Sequence, residues 1–315
     1  MRVLLYHRLN IGDLILASPA LQAFKADHPQ ARIGLVTNDF VAPVARLMPH
    51  VDECWSYAKL GREAPSEWRV LARARGFHPD RTIGLSPSPD RKLAFRVMLF
   101  PGGVGFGDGS ALYRLAYRGS CLPAVGSGHV AATLARLFGY PDDRALPDCR
   151  LEIPRATERR LGVLVFADAR KPSNRPAAKQ VISVVEGLLA ECGGEVAVAG
   201  VPAESSHAAH QSNAALAAEL RSALAGQPRC VFPEVRGIED IIGLVGRADS
   251  VVCPDGGVMH IAAAAGCPVV GLFGDVSPGV WGPRSKKSMA LQAESRRVPD
   301  IPPQQILEAW RRLRG

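Results

Sequence analysis

The feature that most limits what this chain can become is an alternation. Short apolar runs rich in β-branched residues are separated by stretches with helical periodicity, through most of the 315 residues. This is the pattern of parallel βαβ units, because two parallel neighbours need a crossover long enough to hold a helix. Two sets are readable. The first predicts strands at 3–6, 33–37, 53–57, 82–85 and 104–106, with helices beginning near Ser18, Phe40, Ser66, Asp90 and His129. The second predicts strands at 161–166, 195–199, 229–232, 250–253 and 269–273, with helices over 176–191, 203–225, 238–246 and 257–265. Between them, residues 147–160 are rich in charge and proline and lack periodicity, which marks a linker. Two doubly wound α/β domains facing a cleft follow, and in such sheets ligands sit beyond the carboxyl ends of the strands. The segment 303–314 predicts a helix with Ile306, Leu307, Trp310 and Leu313 on one apolar stripe, which needs a surface to bury it.

Composition removes several classes. With 47% hydrophobic residues the chain is globular, not disordered, collagen-like or coiled-coil. The formal charge of +8 is uneven: residues 1–155 hold 20 basic and 14 acidic side chains, the remainder 18 and 16. An acidic partner is therefore expected to meet the first half. Between Arg62 and Arg118 stand ten cations and five acids, the best candidate for meeting a partner's carboxylates or phosphates. Aromatics make up only 6%, and no dense Lys/Arg tract is interleaved with stacking residues, so a nucleic-acid module is not indicated. The seven cysteines are odd in number and never spaced C-x-x-C, which predicts free, mostly buried thiols in a reducing cytoplasm. His7, Arg8, Asn10 and Asp13 interrupt the first apolar run too early for a signal peptide. The nearly uncharged run from Gly256 to Gly274 is broken by Gly266 and Pro268, so it reads as helix, turn and buried strand rather than a membrane span.

Three loops directly after strands carry candidate chemistry. Asn10-Ile11-Gly12-Asp13 follows the first strand; Gly12 permits a sharp turn or close approach to a ligand, and Asp13 either caps a helix or acts as a general base. Asp255-Gly256-Gly257 opens a small-residue helix, so backbone N–H groups and the positive helix end suit a phosphate or diphosphate. His260, one turn in, either hydrogen-bonds that phosphate or is a structural histidine. Arg170, Lys171 and Arg175 follow the first strand of the second set and are either a clamp for a diphosphate leaving group or a solvated basic loop. Glu204 accepts a ribose hydroxyl or enriches a helix's first turn with negative charge. G-x-x-x-x-G-K-[ST], H-E-x-x-H and G-x-S-x-G are all missing, as is any Asp-x-Asp pair, so a carboxylate-held divalent metal is unsupported. The first turn also lacks G-x-G-x-x-G, which weakens a dinucleotide oxidoreductase reading.

Gly12-Asp13 with Ser18-Pro19, Asp255-Gly256-Gly257-Val258-Met259-His260, and Phe273-Gly274 followed by Pro278 and Trp281-Gly282-Pro283 together resemble the ADP-heptose:lipopolysaccharide heptosyltransferases, glycosyltransferase family 9. The resemblance implies a GT-B fold of two Rossmann-like domains: 1–155 for the acceptor, 156–298 for the nucleotide sugar, and a helix at 299–315 crossing back to the N-terminal domain to bury Trp310. It implies an inverting, metal-independent glycosyltransferase that needs no cofactor and moves a heptose from ADP-heptose to an acidic inner-core saccharide of lipopolysaccharide. Such an enzyme is expected in the cytoplasm, in peripheral contact with the inner membrane. Asp13 matches the family's catalytic base. Lys171, Arg175, Glu204, Asp255, Gly256, Gly257 and His260 are expected at the donor, and Gly12, Arg62, Arg91 and Lys92 at the acceptor. Two departures stand out. The chain has Asp255-Gly256-Gly257 where the family usually shows Asp-Thr-Gly, and Asn174-Arg175 where it usually has a Lys, often followed by Arg and Trp. The alternatives are another nucleotide sugar, a small-molecule acceptor, or a non-catalytic nucleotide-sugar-binding protein.

Overall fold

Strands that carry apolar side chains on both faces can only be central, and the first strand shows it: Val3, Leu4, Leu5 and Tyr6 are all buried. The computed structural model describes residues 1–59, 65–123, 128–156, 160–200 and 214–314. The chain divides into two compact units, Met1–Glu152 and Ile153–Gly315. Unit 1 holds β1 (Arg2–Tyr6), β2 (Arg32–Asn38), β3 (Glu53–Tyr57), β4 (Arg81–Gly84), β5 (Gly103–Gly107) and β6 (Ser120–Pro123) in the order β3-β2-β1-β4-β5-β6. Unit 2 holds β7 (Leu161–Phe166), β8 (Glu195–Ala199), β9 (Cys230–Val231), β10 (Val251–Pro254), β11 (Val269–Phe273) and β12 (Ser288–Gln292) in the order β12-β11-β10-β7-β8-β9. Every pairing in both sheets is parallel. Counted from each unit's own first strand, the two orders are the same doubly wound order, 3-2-1-4-5-6.

In unit 1, helices Glu67–Arg75, Arg91–Val97 and Ala111–Ala116 connect β3 to β4, β4 to β5 and β5 to β6. Right-handed crossovers put all three on one face of the sheet. Their inner sides confirm it, since Val70, Leu71, Leu93, Val97 and Tyr113 share one core with Leu4, Tyr6 and Val36.

The last helix, Pro303–Arg314, corrects an expectation. Its apolar stripe is buried in unit 2 and not on the N-terminal domain: Ile306, Leu307 and Trp310 join the core formed with Val184, Val185, Val252 and Val270. Two local features draw it there. The indole N–H of Trp310 donates to Ser250 Oγ at 2.9 Å, giving a buried polar group its partner. Gly187 leaves room for Leu307, whose Cδ1 would stand 2.5 Å from a Cβ at that position.

All seven cysteines are free, four of them buried. Among the described residues, no helix is long and apolar enough to cross a membrane.

Candidate functional site

In both sheets the strand order reverses beside the first strand, between β1 and β4 in unit 1 and between β7 and β10 in unit 2. The loops at these two points are where ligands are expected.

In unit 1 the chain leaves β1 through His7 and Arg8 and enters a short helix, Ile11–Ile15. Asn10 is extended, and its backbone N–H donates to Asp13 Oδ2 at 3.1 Å. Asp13 therefore does cap its helix, as one of its two readings held, and it is 8% exposed. Of the two readings of Gly12 the sharp turn does not hold, since it is the second residue of this helix. On the neighbouring loop, Asp90 accepts from Leu93 N–H at 3.0 Å and from Arg8 Nη1 at 2.8 Å, tying the segment after β1 to the helix after β4. Arg91 and Lys92, the exposed first two residues of that helix, stand at the same edge.

The wider cation cluster does not gather there. Arg73 and Arg75 close helix Glu67–Arg75, Arg81 opens β4 and Arg118 precedes β6, all toward the amino edge of the sheet. Arg81 is spent on the Leu137 carbonyl at 3.2 Å and Arg96 on Glu67 at 2.8 Å. The reason is the βαβ repeat itself: a helix that starts at the carboxyl edge ends at the opposite one, so cations close in sequence are dealt to both edges. Arg62 lies outside the described residues.

His7 was not singled out as a site residue. It is wholly buried, with Nδ1 3.1 Å from Thr37 Oγ1, and burial, reinforced by Lys59, pushes its pKa down to about 3. An isolated histidine after a strand gives no sequence signal separating this role from a surface one.

In unit 2 the sequence places Asp255-Gly256-Gly257 as expected, at the carboxyl end of β10 and the start of helix Gly257–Ala264. Gly256 is exposed, and a Cβ there would meet nothing within 4 Å, so the backbone at the helix N-terminus is open to a ligand. The helix lies close over β11 because Gly271 admits Met259, whose Sδ would stand 2.5 Å from a Cβ. His260 is buried one turn in. Burial raises the Asp255 carboxyl above its ordinary range, against the opposing pull of the Asn174 hydrogen bond and Lys171.

Asn174 is the residue that organises this edge, and sequence reasoning treated it only as a departure from a family pattern. Buried in the loop after β7, it donates from Nδ2 to the Asp255 carbonyl at 3.2 Å and to Asp255 Oδ2 at 3.3 Å, and accepts the Gly274 N–H at 2.9 Å. One amide thus joins the loops after β7, β10 and β11. Gly274 is required for this, since a Cβ there would collide with Asn174 Oδ1 and lie 2.7 Å from the Ser173 carbonyl. Gln292, at the end of β12, donates to the carbonyls of Gly274 and Val276 and holds the third loop from the far side.

The two cations retained as donor candidates differ. Lys171 faces Asp275 at 3.5 Å, an exposed pair that also includes Ser173 Oγ at 3.0 Å from Asp275. Arg175 donates from Nε to the Ala169 carbonyl at 3.1 Å. Glu204 lies outside the described residues. Among the described residues, no three His, Cys, Asp or Glu side chains are grouped so as to hold a metal ion.

Fold and loops define the class first: an α/β protein of two doubly wound units, matching GT-B heptosyltransferase structures. The chain is similar to E. coli ADP-heptose lipopolysaccharide heptosyltransferase II, at 21% identity and a TM-score of 0.76, over 99% of this chain and 98% of that one. It is similar to E. coli heptosyltransferase WaaC with ADP, at 18% identity and 0.76, over 99% and 100%. A family 9 glycosyl transferase from Veillonella parvula aligns at 17% identity and 0.78, over 99% and 96%. Within that class, residues 187–311 match the model of glycosyltransferase family 9 (heptosyltransferase). Family match and fold together support a glycosyltransferase enzyme, as the sequence resemblance implied. No curated protein sequence matches the chain.

Proposed function

We propose that this protein is an inverting, metal-independent glycosyltransferase that moves a heptose from ADP-heptose onto an acidic inner-core acceptor of lipopolysaccharide. The observation that carries the reading is the carboxyl edge of unit 2: an open helix N-terminus at Gly256-Gly257, held in place by Asn174, inside the stretch that matches family 9. The donor diphosphate is assigned to these backbone N–H groups and to Lys171, whose exposed pairing with Asp275 is cheap to exchange for a phosphate. His260 and Arg175 are assigned a supporting part in donor binding, and Asp255 that of holding the loop.

Asp13 is assigned the role of general base. Its carboxylate takes the proton of the acceptor hydroxyl while that oxygen bonds to the anomeric carbon, and the bond from that carbon to the diphosphate oxygen breaks, releasing ADP with its electron pair. Gly12, Arg91 and Lys92 are assigned to the acceptor side, with the two cations meeting its acidic groups. Membrane-face, cytoplasmic working is part of the same reading.

Purified protein incubated with ADP-heptose and an inner-core acceptor tests this. Asp13→Asn keeps an oxygen to accept the Asn10 N–H, so the cap survives, and transfer is expected to fall about 10²- to 10⁴-fold with ADP affinity nearly unchanged. Unchanged turnover removes the base assignment. Lys171→Ala is expected to weaken ADP binding; wild-type affinity would return Lys171 to ordinary surface. A second reading, another nucleotide sugar as donor, is favoured by Asn174, which is turned inward where the family usually carries a Lys. A panel of nucleotide sugars in the same assay decides between the two.

A further inference from the structure

We propose that the outer face of the three helices Glu67–Arg75, Arg91–Val97 and Ala111–Ala116 is a docking surface for a lipid bilayer bearing anionic phosphate headgroups. These helices share one side of the unit 1 sheet, with their apolar sides in a single core. Each nevertheless presents one large apolar side chain outward: Trp68 is 59% exposed, Phe95 47% and Leu115 46%. They are three of the four exposed large hydrophobic residues among the described ones. Single exposed apolar residues are ordinary; one on each of three helices packed on one sheet face is a pattern.

The charge on the same helices says what covers it. They carry seven Lys and Arg and one carboxylate, Glu67. That carboxylate is already taken by Arg96 and by the Tyr6 hydroxyl. The guanidinium of Arg96 in turn lies 4.7 Å from the centre of the Trp68 ring, so the indole is held outward against a cation. Aromatic rings at headgroup depth, flanked by long cationic side chains that reach phosphates, are the arrangement of an interfacial surface. A second copy of this chain would set seven cations against seven, which charge repulsion opposes. An anionic bilayer satisfies both the rings and the cations. The inference rests on the membrane-face working in the transfer reading, yet vesicle binding is measured with no sugar present, so the two fail separately.

The test is sedimentation of the whole protein with vesicles of phosphatidylcholine alone or with about a third phosphatidylglycerol, at low salt. Binding to the anionic vesicles and not to the neutral ones is expected, weakening steeply as salt is raised. Trp68→Ser with Phe95→Ser is expected to lower the binding constant at least about tenfold. Arg69→Glu with Arg73→Glu is expected to remove about fivefold or more per site. All four side chains are exposed, so melting temperatures are expected to stay near wild type. No binding to anionic vesicles, or binding that both double variants leave intact, overturns the proposal. So does self-association abolished by Trp68→Ser, which would assign the face to a second copy. Binding to a soluble acidic polysaccharide but not to vesicles would also overturn it.

Discussion

The two units share one strand order but hold their ligand-side edges by opposite means. Unit 1 uses charge: the Arg8–Asp90 pair joins the segment after β1 to the helix after β4, and the Asp13 carboxylate caps its own helix. Unit 2 uses neutral amides, with Asn174 joining three loops and Gln292 bracing one of them. An amide both donates and accepts, so it can bridge loops without placing a net charge beside a bound anion. A carboxylate, by contrast, leaves a proton acceptor at the edge it organises. The difference matches the work proposed for each unit: phosphate binding in one, proton removal in the other.

The largest expected effect that would break this comparison is in pH. His7 in unit 1 has its pKa pushed from 6.5 down to about 3 by burial, so the unfolded chain takes up a proton that the folded unit refuses. Its contribution to stability is complete above pH 6.5 and is lost toward pH 3, at up to about 1.4 kcal/mol per pH unit. Asp255 in unit 2 has the opposite sign. Burial raises its pKa above 3.8, so its contribution is present below that pH and lost as pH rises through the folded value. Amide exchange followed from pH 7.5 down to about 4 should show unit 1 losing protection, with His7→Gln flattening the loss and Asp255→Asn adding stability to unit 2 at neutral pH. Equal slopes in wild type and His7→Gln would end the contrast.

Asn174→Ala comes next. It strips partners from the Gly274 N–H and the Asp255 carboxylate, and a stability loss of about 2–3 kcal/mol in unit 2 is expected, with weaker ADP binding. Denaturant unfolding and calorimetric titration with ADP check it, and retained ADP affinity would show that the loops hold their shape without the amide. Smallest is Arg8→Ala, which removes a part-exposed ion pair and is expected to cost no more than about 1 kcal/mol by the same unfolding measurement. A larger loss would mean that unit 1's edge is as rigidly built as unit 2's.

How much of this was legible depends on what kind of signal each element leaves. Strands β7, β8 and β11 were predicted to the residue, because interior parallel strands are unbroken apolar runs, and the part-buried edge strand β3 was placed to the residue as well. The edge strands β6 and β12 were missed: Ser120-Cys-Leu-Pro123 is short and ends in proline, and Ser288-Met-Ala-Leu-Gln292 is only part-buried, so neither shows a period. Asp90 and His129 were read as helix starts, and both side chains do accept a capping N–H. Asp255-Gly256-Gly257 was legible because a strand, a turn and a helix meet there within a few residues. Asn174 was not, because its partners Asp255 and Gly274 lie 81 and 100 residues away. Trp310 was seen as needing burial, yet which surface would take it depended on Ser250, sixty positions earlier.

That last helix has a consequence for the order of events in synthesis. Unit 1 is complete once residue 152 has been made, and it can fold while the rest of the chain is still being added. Unit 2 cannot close its core until translation has passed Trp310, because β10 and the helix under Leu307 wait for that stripe. At about 5–20 residues per second, the 18 residues from Gln292 to Trp310 leave that side of the second sheet uncovered for about one to four seconds after its last strand has been made. Through that interval the apolar face that receives Ile306, Leu307 and Trp310 stands open to a chaperone.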